Sequence, residues 1–170
     1  MTACCESRAY GARMSKPVLP PGYHTVTPSF IVPDLGRVLT FLEQTFGAKV
    51  VDRYDGPDGK IMHAEIMIAD SIVNCGEPTE KWGPMPGIMT VYVDEPAKVD
   101  ALYQKALDVG GKSDVEPVTQ FYGHRTATVI DPGGNKWSIA AIIETISSEE
   151  AHRRLDEMMK AAPAADPAKN

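Results

Sequence analysis

The chain has 170 residues, with 17 Lys and Arg against 23 Asp and Glu, a net charge of −6, 43% hydrophobic residues and 24% charged ones. That composition suits a packed core rather than a disordered chain, and the length holds one compact domain or two small modules sharing a core. The acidic balance argues against a nucleic-acid partner, which needs clustered Lys and Arg, and no apolar run approaches the roughly 18–20 residues that span a bilayer.

Residues 1–22 hold Gly11, Pro17, Pro20, Pro21 and Gly22 without sustained periodicity and read as a disordered tail. Arg8, Arg13 and Lys16 flank no apolar stretch of the kind a secretory signal needs. Cys4, Cys5 and Cys75 make no disulfide framework, which fits a reducing, cytoplasmic setting. A short β-type run from Val26 to Val32 closes at Pro33, and Asp34 is placed to cap the helix that follows. There Leu35, Val38, Leu39, Leu42 and Phe46 recur on one face, and Gly47 stands where a left-handed residue ends a helix. Lys49–Tyr54 is β-branched enough for a strand, Asp55–Gly59 has turn chemistry, and Lys60–Ile68 with Ser71–Cys75 makes a hairpin across Ala69-Asp70. This first unit occupies residues 23–76.

A linker with Pro78, Gly83, Pro84 and Pro86 covers 77–86, and the same order then recurs over 87–146. Gly87–Val93 is a strand, and Pro96 takes a first helical position. Val99, Leu102, Tyr103, Ala106 and Leu107 form an apolar face that ends at Gly110-Gly111. Lys112–Val118, Arg125–Ile130 and Lys136–Ile143 complete three strands, the last two joined by the Asp131–Asn135 turn. Phe46–Lys49 matches Val109–Lys112 at an offset of 63, and His63–Ile66 matches Thr126–Val129 at the same offset. The chain is therefore a duplicated βαβββ unit of the α+β class. Each helix covers one face of its sheet, so the opposite faces are expected to curl together around a cavity. Ser147 and Glu150 have capping-box spacing for a last helix over 147–160, and 161–170 is a second disordered tail.

Several stretches stand out in this layout: Thr27-Pro28 with Val32–Asp34, Phe46–Ala48, Asp58–Glu65, Phe121–Arg125, Asp131-Pro132 through Trp137-Ser138, and Ser148–Glu150. Together with the duplicated units they resemble the vicinal oxygen chelate superfamily (glyoxalase I, fosfomycin and bleomycin resistance proteins, extradiol dioxygenases), and its PhnB-like branch in particular. The resemblance implies tandem βαβββ units, a small-molecule ligand and a homodimer. It also implies four metal-holding positions, which fall near Thr27, Asn74, Ile88 and Ser138. None is a carboxylate or an imidazole, so no metal and no other cofactor is expected, and the metal-dependent activities lose their support.

Alternation puts His63 and Glu65 on the face away from the helix, where such a pair suits a base and its orienting partner. Asn74, Thr90, Tyr92, Thr128 and Ser138 are polar candidates for the same cavity. Trp82, Phe121, Tyr122 and His124 lie in loops at strand ends, as an aromatic lid or as a turn fixing the rim. Trp137 alternates toward the core, and His24 and His152 read as surface residues. The leading expectation is a metal-independent protein that holds an apolar or aromatic molecule between the units. The alternative is a lyase, isomerase or oxygenase using His63 and Glu65, with His124 as a third ligand if a non-standard metal is bound. A ligand-free structural dimer is the third reading.

Overall fold

A computed structural model describes residues 18–161; Cys4, Cys5, most of the first expected tail and all but one residue of the second lie outside that range. The first unit runs β1 (Ser29–Ile31), α1 (Leu35–Phe46), β2 (Lys49–Asp55), β3 (Ile61–Ile68) and β4 (Ser71–Gly76). The second runs β5 (Ile88–Tyr92), α2 (Pro96–Asp108), β6 (Lys112–Thr119), β7 (His124–Ile130) and β8 (Lys136–Ile142), and α3 (Ser148–Ala161) follows. Each unit is a four-stranded mixed sheet, ordered β1-β4-β3-β2 and β5-β8-β7-β6, with one parallel pair and two antiparallel pairs. The α+β class and the tandem βαβββ order follow directly from these elements.

Local chemistry explains the boundaries. Gly47 adopts φ 68° and its N–H closes α1 on Glu43, while Pro96 opens α2. The expected strand from Val26 shrinks to three residues, because Pro28 has no N–H to give and contributes only its carbonyl, to Asn74. Asp34 does not cap α1: it sits in the left-handed region at φ 56° and its side chain makes no capping bond. Glu77, from the linker, accepts the Leu35 N–H at 2.6 Å instead. The chain engages the fold slightly ahead of residue 23, since Pro20–Tyr23 forms a turn and the Gly22 carbonyl accepts from the Ile72 N–H. At the last helix Ser147 Oγ accepts from the Glu150 N–H, one half of the expected box.

The units meet through their helix sides, which corrects the expectation that the opposite faces curl together. One apolar core contains Phe30, Val38, Phe41 and Leu42 of the first unit together with Val99, Ala106, Trp137 and Ile139 of the second. Trp137 packs edge-on to Phe30 with ring centroids 6.3 Å apart, and Phe46 lies 5.5 Å from it. Two glycines permit this approach: a Cβ on Gly133 would stand 2.8 Å from both Val32 and Val38, and one on Gly111 would stand 2.9 Å from Phe41. One helix is too narrow to bury a four-stranded sheet, so each unit completes its core with the other. The open faces of both sheets are left outside this core.

Candidate functional site

Alternation along β3 buries Ala64, Ile66 and Ile68 on the helix side and leaves His63, Glu65 and Met67 half-buried on the open side. Register sets their neighbours: Glu65 stands between Asp52 and Asn74, and His63 between Tyr54 and Gly76. The Tyr54 hydroxyl donates to Asp52 at 2.8 Å, and its ring centroid is 6.0 Å from that of His63. Tyr23 reaches this face from the N-terminal turn and donates to Asn74 Oδ1 at 3.5 Å. The Glu65 carboxylate, as acceptor and as a nearby negative charge, pushes the Tyr23 phenol up to about 12. Asp52 raises the Tyr54 phenol in the same way. Beyond His63 the Thr79–Trp82 turn of the linker closes a recess of about 320 Å³, lined by Ser29, Met62, His63, Asn74 and Trp82 among others.

On the second sheet Thr90, Ser138 and Thr128 stand in one row across three strands. Tyr92 begins a chain of rings: its centroid is 6.1 Å from His124, His124 is 5.1 Å from Tyr122, and Tyr122 is 5.1 Å from Phe121. The turn that carries these rings is held by backbone. Gly123, at φ 86°, accepts from the N–H groups of both Ile143 and Glu144. Arg125 grips Asp100 on α2 through two nitrogens, and that guanidinium holds the Asp100 carboxyl below its usual range.

A third feature lies between the units. A groove of about 740 Å³ runs beside β5, lined by Val26, Pro28, Ile68 and Val73 of the first unit and by Ile88, Thr90, Tyr92 and the buried Trp137 of the second. Val26, Ile88 and Tyr92 are 83%, 77% and 61% exposed along it. The residues expected to share one cavity thus divide. His63, Asn74 and Trp82 line the first-unit recess with Glu65 beside it; Thr90 and Tyr92 line the groove; Thr128, Ser138, Phe121, Tyr122 and His124 extend from it over the second sheet. No hydrogen bond or ring contact among the described residues joins the two open faces.

The profile of the Glyoxalase/Bleomycin resistance protein/Dioxygenase superfamily matches residues 23–139, through both units. The chain belongs to that superfamily. Among curated proteins, an uncharacterized protein of Mycobacterium bovis is 29% identical over 137 residues, covering 74% of this chain and 88% of that one. An uncharacterized Mycobacterium tuberculosis protein matches equally well over 78% of its length. Of the solved superfamily folds, TioX from Micromonospora sp. ML1 superposes with a TM-score of 0.59 at 20% identity, over 69% of this chain and 97% of that one. The fosfomycin resistance protein FosX from Mesorhizobium loti gives 0.52 at 19% identity, over 75% and 95%.

The resemblance places the superfamily's four metal positions at Thr27, Asn74, Ile88 and Ser138. The four positions offer two hydroxyls, an amide and the alkyl chain of Ile88 in place of imidazole or carboxylate donors. Among the described residues no three His, Cys, Asp or Glu side chains stand together as a metal-binding group. His124 therefore does not join His63 and Glu65 as a third ligand; it sits in the ring chain of the other sheet.

Sequence reasoning missed Tyr23, Asp52 and Tyr54 on the first open face, and Val26, Pro28 and Ile88 along the groove. Asp52 and Tyr54 were hidden by the β2 irregularity between Val50 and Asp52, which breaks simple alternation. Ile88 enters the sequence reading as a metal position by resemblance, but an exposed isoleucine on an edge strand is itself a signal of a binding surface.

Proposed function

We propose that this chain is a small-molecule-binding member of the superfamily that works without the divalent ion and holds an apolar or aromatic compound in the groove between its units. The observation that carries the reading is the groove itself. Its volume of about 740 Å³ falls in the roughly 300–1,000 Å³ range of ligand sites, and its walls are apolar with a few polar groups at the edge. Covering Val26, Ile88 and Tyr92 gains roughly 25 cal/mol for each Å² taken from water. The rings that continue from Tyr92 to His124 and Tyr122 extend an aromatic wall for a planar ligand. The protein acts as a homodimer in this reading. β5 is an edge strand of Ile, Met, Thr, Val and Tyr with neither charge nor proline to protect it, which favours a second copy as its cover.

A neutral bicyclic probe tests the site. Titration with 2-naphthol is expected to shift the amide signals of Ile88–Tyr92 and the indole signal of Trp137. Ile88→Asp should weaken binding about tenfold or more, by removing one buried apolar side chain and setting a charge at the wall. Unmoved β5 amides, or an affinity indifferent to Ile88→Asp, would remove the groove as the site.

A further inference from the structure

The recess under Trp82 and the face beside it are chemically unlike the groove. Asp52 and Glu65 stand side by side across β2 and β3, and among the described residues neither has a Lys or Arg within ion-pair distance, although ten such pairs occur elsewhere. Tyr54 gives its hydroxyl proton to Asp52, and the Tyr23 hydroxyl lies between Asn74 and Glu65, so both residues offer ring faces and phenol oxygens to a ligand. Trp82 adds a third ring at the far end, in the recess that it lines together with His63 and Asn74. An anionic ligand would meet two carboxylates here. A neutral apolar ligand would take water from both charges and bring no counter-ion. A protonated amine answers both: its N–H groups need acceptors, and its charge is attracted to carboxylates and to ring faces.

We infer that the open face of the first unit, from Tyr23 to the recess beneath Trp82, is a second binding site, for a small organic amine in its protonated form. The Glu65 carboxylate raises the Tyr23 phenol, as acceptor and as a nearby charge, which sets that carboxylate beside the Tyr23 ring. The site is independent of the groove, which draws on Val26, Pro28 and β5 and on neither carboxylate.

The chain's two tryptophans separate the sites, since Trp82 borders the recess and Trp137 borders the groove. In proton–nitrogen correlation spectra, benzylamine is expected to move the Trp82 indole signal saturably, while benzyl alcohol and benzoate leave it in place. Glu65→Gln, which keeps the side-chain shape, should weaken benzylamine about tenfold, and Asp52→Asn on the exposed β2 should weaken it in the same direction. The inference is overturned if benzylamine leaves Trp82 unmoved, if benzoate or benzyl alcohol moves it equally, or if both variants bind benzylamine as the parent does. A Trp137 signal that ignores 2-naphthol counts against the groove alone and leaves the amine result standing.

Discussion

The turn between the last two strands of the first unit is Ala69-Asp70, two exposed residues whose side-chain chemistry ends at an Asp70–Ser71 hydrogen bond. In the second unit the same place holds Asp131–Asn135, with Asp131 and Asn135 buried. Asp131 accepts from the N–H groups of Gly133 and Asn135, from the Asn135 amide and from the Trp137 indole. Asn135 in turn accepts from the Gly87 N–H at the entry to β5. Equivalent positions in a duplicated fold thus carry different duties. The second turn faces the first unit, where Gly133 lies against Val32 and Val38, while the first turn faces outward at the groove's rim.

Breaking that contrast gives the largest expected effect. Asp131→Ala leaves four donors near a buried centre without their acceptor, at about 1–3 kcal/mol for each one truly left unpaired, and a total loss of about 3–5 kcal/mol is expected. Asp70→Ala should stay within about 0.5 kcal/mol, as exposed changes do. Urea denaturation of the two variants measures the difference; equal midpoints would show that the second turn is no more structural than the first.

The turns between the second and third strands of each unit make the next comparison. Gly59 and Gly123 both hold positive φ, at 77° and 86°. A Cβ on Gly59 would meet nothing within 4 Å, so Gly59→Ala should cost about 1–2 kcal/mol, the conformational penalty alone. A Cβ on Gly123 would stand 2.5 Å from the Glu144 carbonyl, part of the backbone that Gly123 itself anchors. Gly123→Ala should therefore cost about 3 kcal/mol or more, and it should also move the His124 and Tyr122 signals.

Helix starts differ on a smaller scale. Leu35 N–H reaches Glu77 of the linker, whereas Glu95 before α2 makes no side-chain cap and Pro96 lacks the N–H that would need one. Glu77→Ala should cost about 1 kcal/mol and loosen the linker against the first turn of α1. Glu95→Ala should be neutral within about 0.5 kcal/mol. Thermal denaturation with helix-specific hydrogen exchange distinguishes a lost cap from a general loss.

Much of this was legible in the residues, for physical reasons that vary by element. Leu35, Val38, Leu39 and Leu42 mark α1 because a helix buries every third or fourth residue; Pro96 and Gly47 mark ends because only those backbones suit the positions. The inward turn of Trp137 followed from alternation. Which apolar face meets which did not follow, because periodicity assigns residues to faces and leaves the pairing of faces to shape. The trace of that pairing lay in Gly111 and Gly133, whose missing side chains make room for Phe41, Val32 and Val38. The cap from Glu77 was illegible for a related reason: its partner Leu35 is 42 residues away. The candidate site suffered most, since Tyr23 meets Asn74 from a turn far away in sequence and Tyr54 meets His63 only across strands.

The smallest expected effect tests the chemical contrast between the open faces, acidic on the first sheet and hydroxyl-and-ring on the second. Tyr23 is neutral when protonated, and the Glu65 carboxylate holds it so up to about 12 rather than the ordinary 10.0. Its folded pKa is raised, so the stabilisation is fully present below the unfolded value and fades as pH climbs from 10.0 toward 12. Glu65→Gln removes the charge and keeps an oxygen acceptor, so the Tyr23 titration should fall back toward the ordinary value. Tyr54, whose hydroxyl bonds to Asp52, should keep most of its own shift. Ultraviolet absorbance of the phenolates, with Tyr23→Phe to assign the late-titrating group, reads both. A Tyr23 midpoint unchanged in Glu65→Gln would mean that the potential on this face arises elsewhere, and the amine site would lose the carboxylate on which its selectivity depends.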